Sequence, residues 1–255
     1  MRLTVLGSGS AFSSVGGNAA YCLDGRLLID CGSPVHTVGK AAGVDPAGIC
    51  TVLLTHFHFD HCGELVLLLG TRALATEPIT PLTLAGPVGT REYMMRLVQT
   101  GQGSHLCGLV EERLQPDAVV LQDGSDVTID GFRVRARAVV HSTGPSLAYA
   151  ITGADGVTVG FSGDSTDCAG LRDVVAMSDL MVCECTGWEG PVPTHLWAGE
   201  VRALMNAYPS TRFLLTHLAE RRSLEGALIA HDRLSLDVLP PGAPRPEPPA
   251  TIASR

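Results

Sequence analysis

Short apolar runs separated by turn residues make up most of this chain. RLTVL at 2–6 alternates as a strand does, and AYCL and RLLID within 20–30 are two further strand patterns. Asp-Gly pairs follow several such runs and favour tight two-residue hairpin turns. These pairs lie at 24–25, 130–131 and 155–156. The pattern therefore predicts strands joined by hairpins in both halves of the chain.

Helical patterns lie between the strand patterns. The segment 64–74 is apolar on nearly every face, which indicates a helix in the core or at a subunit contact. Ser33 and Pro34 have the residue types of a helix cap and first position. Further helices are expected over 90–98 in an otherwise turn-rich stretch 75–116, near His195 with Thr194 as its cap, and over 223–231.

These elements continue to residue 239. We expect one domain over 1–239 and a flexible tail over 240–255, which contains six prolines. A chain of 255 residues is large enough to form one layered domain without disulfides. Hairpin-built strands in two halves with helices on both sides predict an α/β (α+β) fold, a four-layer αββα sandwich with mixed sheets.

The charge composition limits which binding partners are expected. The formal net charge is −8, which disfavours a broad capture surface for nucleic acid, so duplex DNA is not an expected partner.

No apolar run approaches the roughly 20 residues needed to cross a bilayer, so no membrane association is expected. The amino-terminal stretch MRLTVLGSGS lacks the apolar core of a signal peptide. We therefore expect a cytoplasmic protein whose eight cysteines are reduced.

The segment THFHFDH at 55–61 carries the strongest chemical signal. His56, His58, Asp60 and His61 place four metal-ligand side chains within six positions. On an extended segment, residues two apart point to the same side, and a turn can direct the next pair to a second point nearby. The flanking runs are apolar, TVLLT before and CGELVLLLG after, which is not typical of a solvated histidine tract. This spacing suits two metal ions.

Single ligand-type residues end three later strand patterns. His141 follows RVRARAVV, Asp164 follows VTVGFSG and His217 follows RFLLT. Delivery of such residues to strand ends is what a two-metal hydrolytic site requires. Imidazole and carboxylate ligands without thiolate favour zinc, with manganese or iron as alternatives.

The HxHxDH motif followed by isolated His, Asp and His resembles the metallo-β-lactamase-fold hydrolases. The resemblance covers about residues 3–239, and three further stretches are similar to ribonuclease Z and its phosphodiesterase relatives. These are VLGSGSA at 5–11, LLIDCG at 27–32, and Glu184 with His195 ahead of LLTH. The resemblance implies the same αββα fold and favours contact between Asp30 and a ligand histidine over a purely local turn role. It also implies a possible homodimer through the helix at 64–74.

We assign two divalent metal ions to this set. One is expected on His56, His58 and His141, the other on Asp60, His61 and His217, with Asp164 bridging both. The paired ions would share a hydroxide that attacks phosphorus. The candidate catalytic residues are Asp60, Glu184 and His195, with His195 donating a proton to the leaving alkoxide and Glu184 orienting it.

Alternatives to a phosphodiesterase remain. A lactone, thioester or β-lactam hydrolase of the same superfamily is the second, and a metal-free binding protein is a third. Transfer RNA processing is in doubt, because family members grip tRNA with a long basic arm and only about 22 residues separate His141 from Asp164. A cyclic nucleotide or another small phosphodiester fits as well as an RNA 3′ end.

The loop Gly7–Ser10 with Asp30 beyond it suggests a dinucleotide-binding site, but local detail argues against one. Phe12 occupies the third glycine position, and Gly16 and Gly17 interrupt the helix that should follow. No dinucleotide cofactor is expected, and the loop is expected to pass close to the metal site.

Overall fold

The computed structural model describes residues 1–76 and 80–240. The tail from 241 onward and residues 77–79 lie outside the described residues, so what was predicted for them stays a prediction. Two seven-stranded mixed sheets form the body of the fold. In spatial order the first sheet contains β14 (Ser235–Asp237), β1 (Arg2–Gly7), β2 (Ala20–Leu23), β3 (Leu27–Ile29), β4 (Thr51–Leu53), β5 (Thr83–Gly86) and β6 (Asp117–Val120). The second contains β13 (Leu228–Ile229), β12 (Arg212–Thr216), β11 (Leu180–Glu184), β10 (Thr158–Phe161), β9 (Leu147–Thr152), β8 (Phe132–Ala138) and β7 (Asp126–Ile129).

Helices cover the outer face of each sheet. They are α1 (Val35–Ala41), α2 (Phe59–Cys62), α3 (Leu65–Ala73), α4 (Thr90–Leu114), α5 (Ala169–Ala176) and α6 (Ala198–Ala207). Buried residues of α1, α3 and α4 share a core with the first sheet, and those of α5 and α6 share one with the second. A third core lies between the sheets. The predicted αββα sandwich with mixed sheets is confirmed.

Coverage on both faces explains why central strands such as β2, β3 and β10 are almost wholly apolar. In β2, Tyr21 and Leu23 point into the core between the sheets, whereas Ala20 and Cys22 point toward the outer helices. A strand covered on both faces needs apolar residues at every position. The predicted hairpin turns are also present: Asp24 and Gly25 have φ of 49° and 68°, as a type I′ turn requires.

Strand direction sets where the loops meet. In the first sheet β3 and β4 are parallel, and in the second β10, β11 and β12 are parallel. β9 is antiparallel to both β8 and β10, so β8 runs in the same direction as β10 and β12. The segments after β8, β10 and β12 therefore leave the sheet at one edge, where ligand-binding loops gather in such sheets.

A helix is present over 90–98 as predicted, but the turns expected after it and the helix expected over 223–231 were wrong. The helix predicted over 90–98 extends as α4 to Leu114, interrupted by a non-helical Gly103 with φ 78°. Leu106 packs beside Gly70 of α3, so tertiary packing restores helix beyond a stretch that looks like a turn. The segment 223–231 forms a turn and β13 instead of a helix, because Gly226 has φ 85° and the following residues pair with β12.

Two predicted helix caps were also wrong. Ser33 does not cap α1, since its hydroxyl donates to the carbonyl of Asn18 at 2.7 Å. Thr194 has φ 62° and lies before the helix, which begins only at Ala198. His195 is thus a loop residue rather than a helix residue.

Among the described helices, none combines the length and apolar character needed to cross a membrane.

Arg72 of α3 provides a test of this packing. The side chain is 1% exposed and donates to the carbonyls of Pro46, Ala47 and Thr80, which ties α3 to two flanking loops. We expect Arg72→Met to lower the free energy of unfolding by about 2–4 kcal/mol, since three carbonyls lose their donor. Urea denaturation measures the change. Arg96→Met, at an exposed position of α4, is the control and should change it by less than about 0.5 kcal/mol. Equal effects of the two substitutions would contradict this role.

Candidate metal centre

The first group of ligand-type residues follows β4. His56 and His58 lie on the extended loop after the strand, and His58 is the residue that precedes α2. Asp60 and His61 belong to the single turn of α2, so the helical turn redirects them as the spacing predicts. His56, Asp60 and His61 are buried.

The second group comes from the edge of the other sheet. His141, Asp164 and His217 follow β8, β10 and β12, the three strands that run in one direction. His217 has φ 53°, a left-handed conformation that turns the chain immediately after the strand. The loop at Gly9 makes a bridge to Leu218, so the glycine loop passes beside this edge as predicted.

The two groups converge into ligand clusters. Ligand atoms of His56, His58, His141 and Asp164 lie within 4.8 Å of one another, and so do those of a second set. That second set is Asp60, His61, Asp164 and His217. A third set with the same spacing is Asp164, Glu184, His195 and His217. All nine predicted site residues are therefore in one place, and Asp164 belongs to every set.

Hydrogen bonds at Nδ1 fix the orientation of four imidazoles in the cluster. Nδ1 of His61 donates to Asp30 at 2.7 Å, and Nδ1 of His141 donates to the carbonyl of Thr194 at 2.9 Å. Nδ1 of His56 and Nδ1 of His217 contact threonine hydroxyls in the same way. Donation from Nδ1 leaves the Nε2 lone pair able to bind a metal ion, which is the usual arrangement of histidines around protein-bound metals.

The threonines that receive these bonds are the residues that sequence reasoning missed. Thr55 donates to Asp30 and contacts Nδ1 of His56 at 3.0 Å. Thr186 donates to Glu184 and contacts Nδ1 of His217 at 2.8 Å. Thr55 directly precedes the histidine motif and could have been suspected, whereas nothing local marks Thr186.

Two buried atoms test whether the residues fit a cation. Nε2 of His61 and Oδ1 of Asp164 lie 3.3 Å apart, yet within the described residues neither makes a well-oriented hydrogen bond. A buried polar atom without a partner is costly unless an ion or a water satisfies it. Because both atoms point into the cluster and all donors are nitrogen or oxygen, the centre is suited to binding metal ions.

Glu184 and His195 form a pair beside the cluster. Glu184 is fully buried, and its Oε2 lies 3.1 Å from Nδ1 of His195. Its Oε1 accepts from the backbone N–H of Ser165 at 2.6 Å, which fixes the carboxylate. Burial lowers the pKa of His195, but the hydrogen bond and charge of Glu184, together with Asp164, outweigh it and hold the pKa above its usual value. The imidazole is therefore well placed to carry a proton.

The neighbouring thiols are not part of the centre. Cys183 and Cys185 flank Glu184 on β11 and its end, and both point into the core under α5 and α6. Burial raises the pKa of Cys185 to about 12, so its thiol stays protonated at neutral pH.

Comparison with known proteins agrees with this centre. A family model described as "Beta-lactamase superfamily domain" matches residues 25–218. The chain belongs to the β-lactamase superfamily. It is 30% identical over 196 residues to a ribonuclease Z of Mycobacterium avium, covering 71% of this chain and 69% of that protein. Because the chain combines a cluster suited to metal ions with ribonuclease Z relatives, this superfamily member is a metal-dependent hydrolase.

Solved structures show the same fold. Human tRNase Z, short form, superposes with a TM-score of 0.76 at 21% identity, covering 94% of this chain and 100% of that one. The metallo-β-lactamase-fold protein YhfI from Bacillus subtilis superposes with a TM-score of 0.72 at 20% identity, covering 92% and 99%.

Asp30 provides a test of the metal centre in this superfamily member. It is 1% exposed, receives the Nδ1 proton of His61 and accepts from Thr55. We expect Asp30→Asn to weaken metal affinity about 10- to 100-fold, because His61 loses the neighbouring carboxylate charge that raises the basicity of its imidazole. Asparagine tolerates the left-handed φ of 55° at this position, so the backbone should be kept. Metal retained during dialysis against a competing chelator measures the effect.

The control for Asp30→Asn is Asp117→Asn on the exposed edge strand β6. It removes the same charge far from the centre and should leave metal affinity unchanged. Unchanged affinity in Asp30→Asn would show that Asp30 has only a local structural role.

Proposed function

We propose that this chain is a metal-dependent phosphodiesterase similar to ribonuclease Z, acting on an RNA 3′ end or on a small or cyclic nucleotide phosphodiester. The observation that carries the proposal is the Glu184–His195 pair at the edge of the metal cluster, within 3.8 Å of Asp164. A proton donor placed there serves a leaving group that departs as an alkoxide, as in phosphodiester cleavage.

The ligand sets support a proposed assignment of these residues to two divalent ions. His56, His58 and His141 would hold one ion and Asp60, His61 and His217 would hold the other, and Asp164 belongs to both sets. Zinc fits nitrogen and carboxylate donors best, with manganese or iron as alternatives. Such ions supply Lewis acidity toward phosphoryl oxygens and an activated water.

The chain's own residues supply the proton, its orientation and the charge balance. His195 holds a proton on its imidazole and gives it to the leaving oxygen. Glu184 fixes the orientation of His195 through Nδ1, so that Nε2 can face the substrate. Its carboxylate is itself fixed by Ser165 and Thr186. Asp60 and Asp164 bring negative charge that balances the bound cations.

The interval between His141 and Asp164 favours a small substrate or a free RNA end. It contains a loop and the strands β9 and β10, which pair directly with each other. This leaves no length for a tRNA-gripping arm. With a net charge of −8, duplex DNA is not a proposed partner.

Three further properties belong to the same proposal. We place the chain in the cytoplasm, with 1–239 as the hydrolase domain and 240–255 as a tail. We also propose a homodimer, which is supported by exposed Leu67 on α3 and exposed Leu74 at its carboxyl-terminal end. Such apolar side chains on an otherwise packed helix suit a contact between subunits.

The substrate class is tested by parallel turnover assays on the zinc-loaded protein. The panel contains bis(4-nitrophenyl) phosphate, a cyclic nucleotide, a precursor tRNA, a lactone, a thioester and a β-lactam. We expect the phosphodiesters to be cleaved and the other esters and amides to be cleaved far more slowly. Preferential turnover of the lactone, thioester or β-lactam would replace the phosphodiesterase assignment with that second activity.

The role of His195 is tested by His195→Ala. We expect kcat for an alkoxide leaving group to fall by about 10²- to 10⁴-fold. The fall should be smaller with bis(4-nitrophenyl) phosphate, because nitrophenolate leaves without a proton. Metal content should be unchanged. His105→Ala, at an exposed position of α4, is the control and should keep full activity. Loss of metal in His195→Ala would show instead that His195 is a ligand.

A further inference from the structure

A cavity of about 340 Å³ opens directly onto the metal centre. Its inner part is formed by site residues, including Asp164, His195 and His217. The site residues His58 and Asp60 also line the cavity, and its outer part is formed by Ala11, Phe12, Asn18 and Phe59. This is the size range of small-molecule sites in proteins, so a compact part of a substrate can occupy it.

Two phenylalanines at the mouth of this cavity are unusually exposed. Phe12 is fully exposed and Phe59 is 68% exposed. The described part of the chain has eight exposed large apolar side chains, and the two aromatic ones both line this cavity. Single exposed apolar residues are common, whereas two exposed aromatic rings beside one cavity are the kind of apolar surface that marks binding sites.

The two phenylalanines are positioned in different ways, Phe59 by contact of its ring and Phe12 by its loop. The Phe59 ring covers Gly63 so closely that a Cβ at Gly63 would lie 2.5 Å from Cε1 of the ring. One side of the ring therefore rests on the α2 backbone while most of the ring stays open. Phe12 lies in a loop whose two ends are pinned by Asp232, which accepts from Ser8 and from the N–H of Gly17.

The chemistry of the lining selects the kind of group that fits. Among the described residues that line the cavity, none is Lys or Arg, so its outer part cannot bind through ion pairs with phosphate. Aromatic rings stack with nucleobases of any sequence, and such contacts contribute about 1–3 kcal/mol per base in proteins that bind single strands. The Asn18 amide adds donors and an acceptor for the edge of a base or for a ribose hydroxyl.

We propose that Phe12 and Phe59 form a stacking platform for the nucleobase next to the scissile phosphate. This rests on the proposed phosphodiesterase function and makes the substrate a base-bearing phosphodiester rather than a diester of a simple alcohol. The base binds outside the metal ligands, so the platform sets substrate choice while the centre performs the chemistry.

Binding of a product-like pair of ligands tests the platform without turnover. Isothermal titration calorimetry on the zinc-loaded protein compares adenosine 5′-monophosphate with ribose 5-phosphate, which differ only by the base. We expect the nucleotide to bind at least about tenfold more tightly. Phe12→Ala should weaken nucleotide binding about tenfold and leave ribose 5-phosphate binding unchanged, and Phe12→Trp should retain nucleotide binding.

Two further variants separate stacking from general effects. Val88→Ala removes another exposed apolar side chain, 65% exposed and outside the cavity, and should change neither affinity. Phe59→Leu should weaken nucleotide binding, with metal content measured because Phe59 lies between His58 and Asp60. Equal affinity for the two ligands, no measurable nucleotide binding, or equal weakening of both by Phe12→Ala would overturn the platform. Failure of the turnover panel would instead overturn the phosphodiesterase function.

Discussion

The buried carboxylate of Asp164 is the constraint on which the centre depends. It is 2% exposed and is enclosed by imidazoles from both sheets. Burial opposes its ionisation, but neighbouring His217 and His61 hold the pKa of Asp164 well below its usual range. Asp30 and Glu184 add two more carboxylates that are at most 1% exposed. Removing so much negative charge from water is costly unless positive charge compensates it. Metal binding in such a site therefore contributes to the stability of the fold as well as to catalysis.

The sequence predicts this centre well because its geometry follows from local rules. The histidine motif lies on one strand exit and one helical turn, and its spacing alone separates the two ligand directions. The distant proposed ligands each follow a strand of the second sheet within three residues, and strands that run in one direction bring such positions to a common edge. The hairpin turns were equally predictable, since the Asp-Gly pairs at 24–25 and 130–131 adopt the positive φ values that type I′ turns need. The four-layer order followed from these strands and helices together.

The errors have a different origin, because each depends on contacts that a single segment does not contain. The continuation of α4 past Gly103 is stabilised by packing on α3, and the segment around Gly226 pairs with β12 instead of forming a helix. Ser33 is drawn away from its helix by the carbonyl of Asn18. Thr186 belongs to the site only because β11 and β12 are adjacent. Intrinsic propensity is a weak guide wherever tertiary partners compete for the same backbone.

The error at His195 changes how the proposed catalytic pair of Glu184 and His195 should be understood. A helix there would have made His195 part of a rigid element separate from the ligands. Instead it lies in a loop, and the preceding residue, Thr194, accepts the Nδ1 proton of His141 at 2.9 Å through its backbone carbonyl. One short segment therefore orients a proposed metal ligand and positions the proposed proton donor. Because the contact to His141 uses main-chain atoms, the side chain of His195 is free to serve catalysis, whereas a shift of the loop would disturb both functions together. This coupling favours a well-ordered loop, and the bridge between Val192 and His195 supplies that order beside the cavity where the substrate must bind.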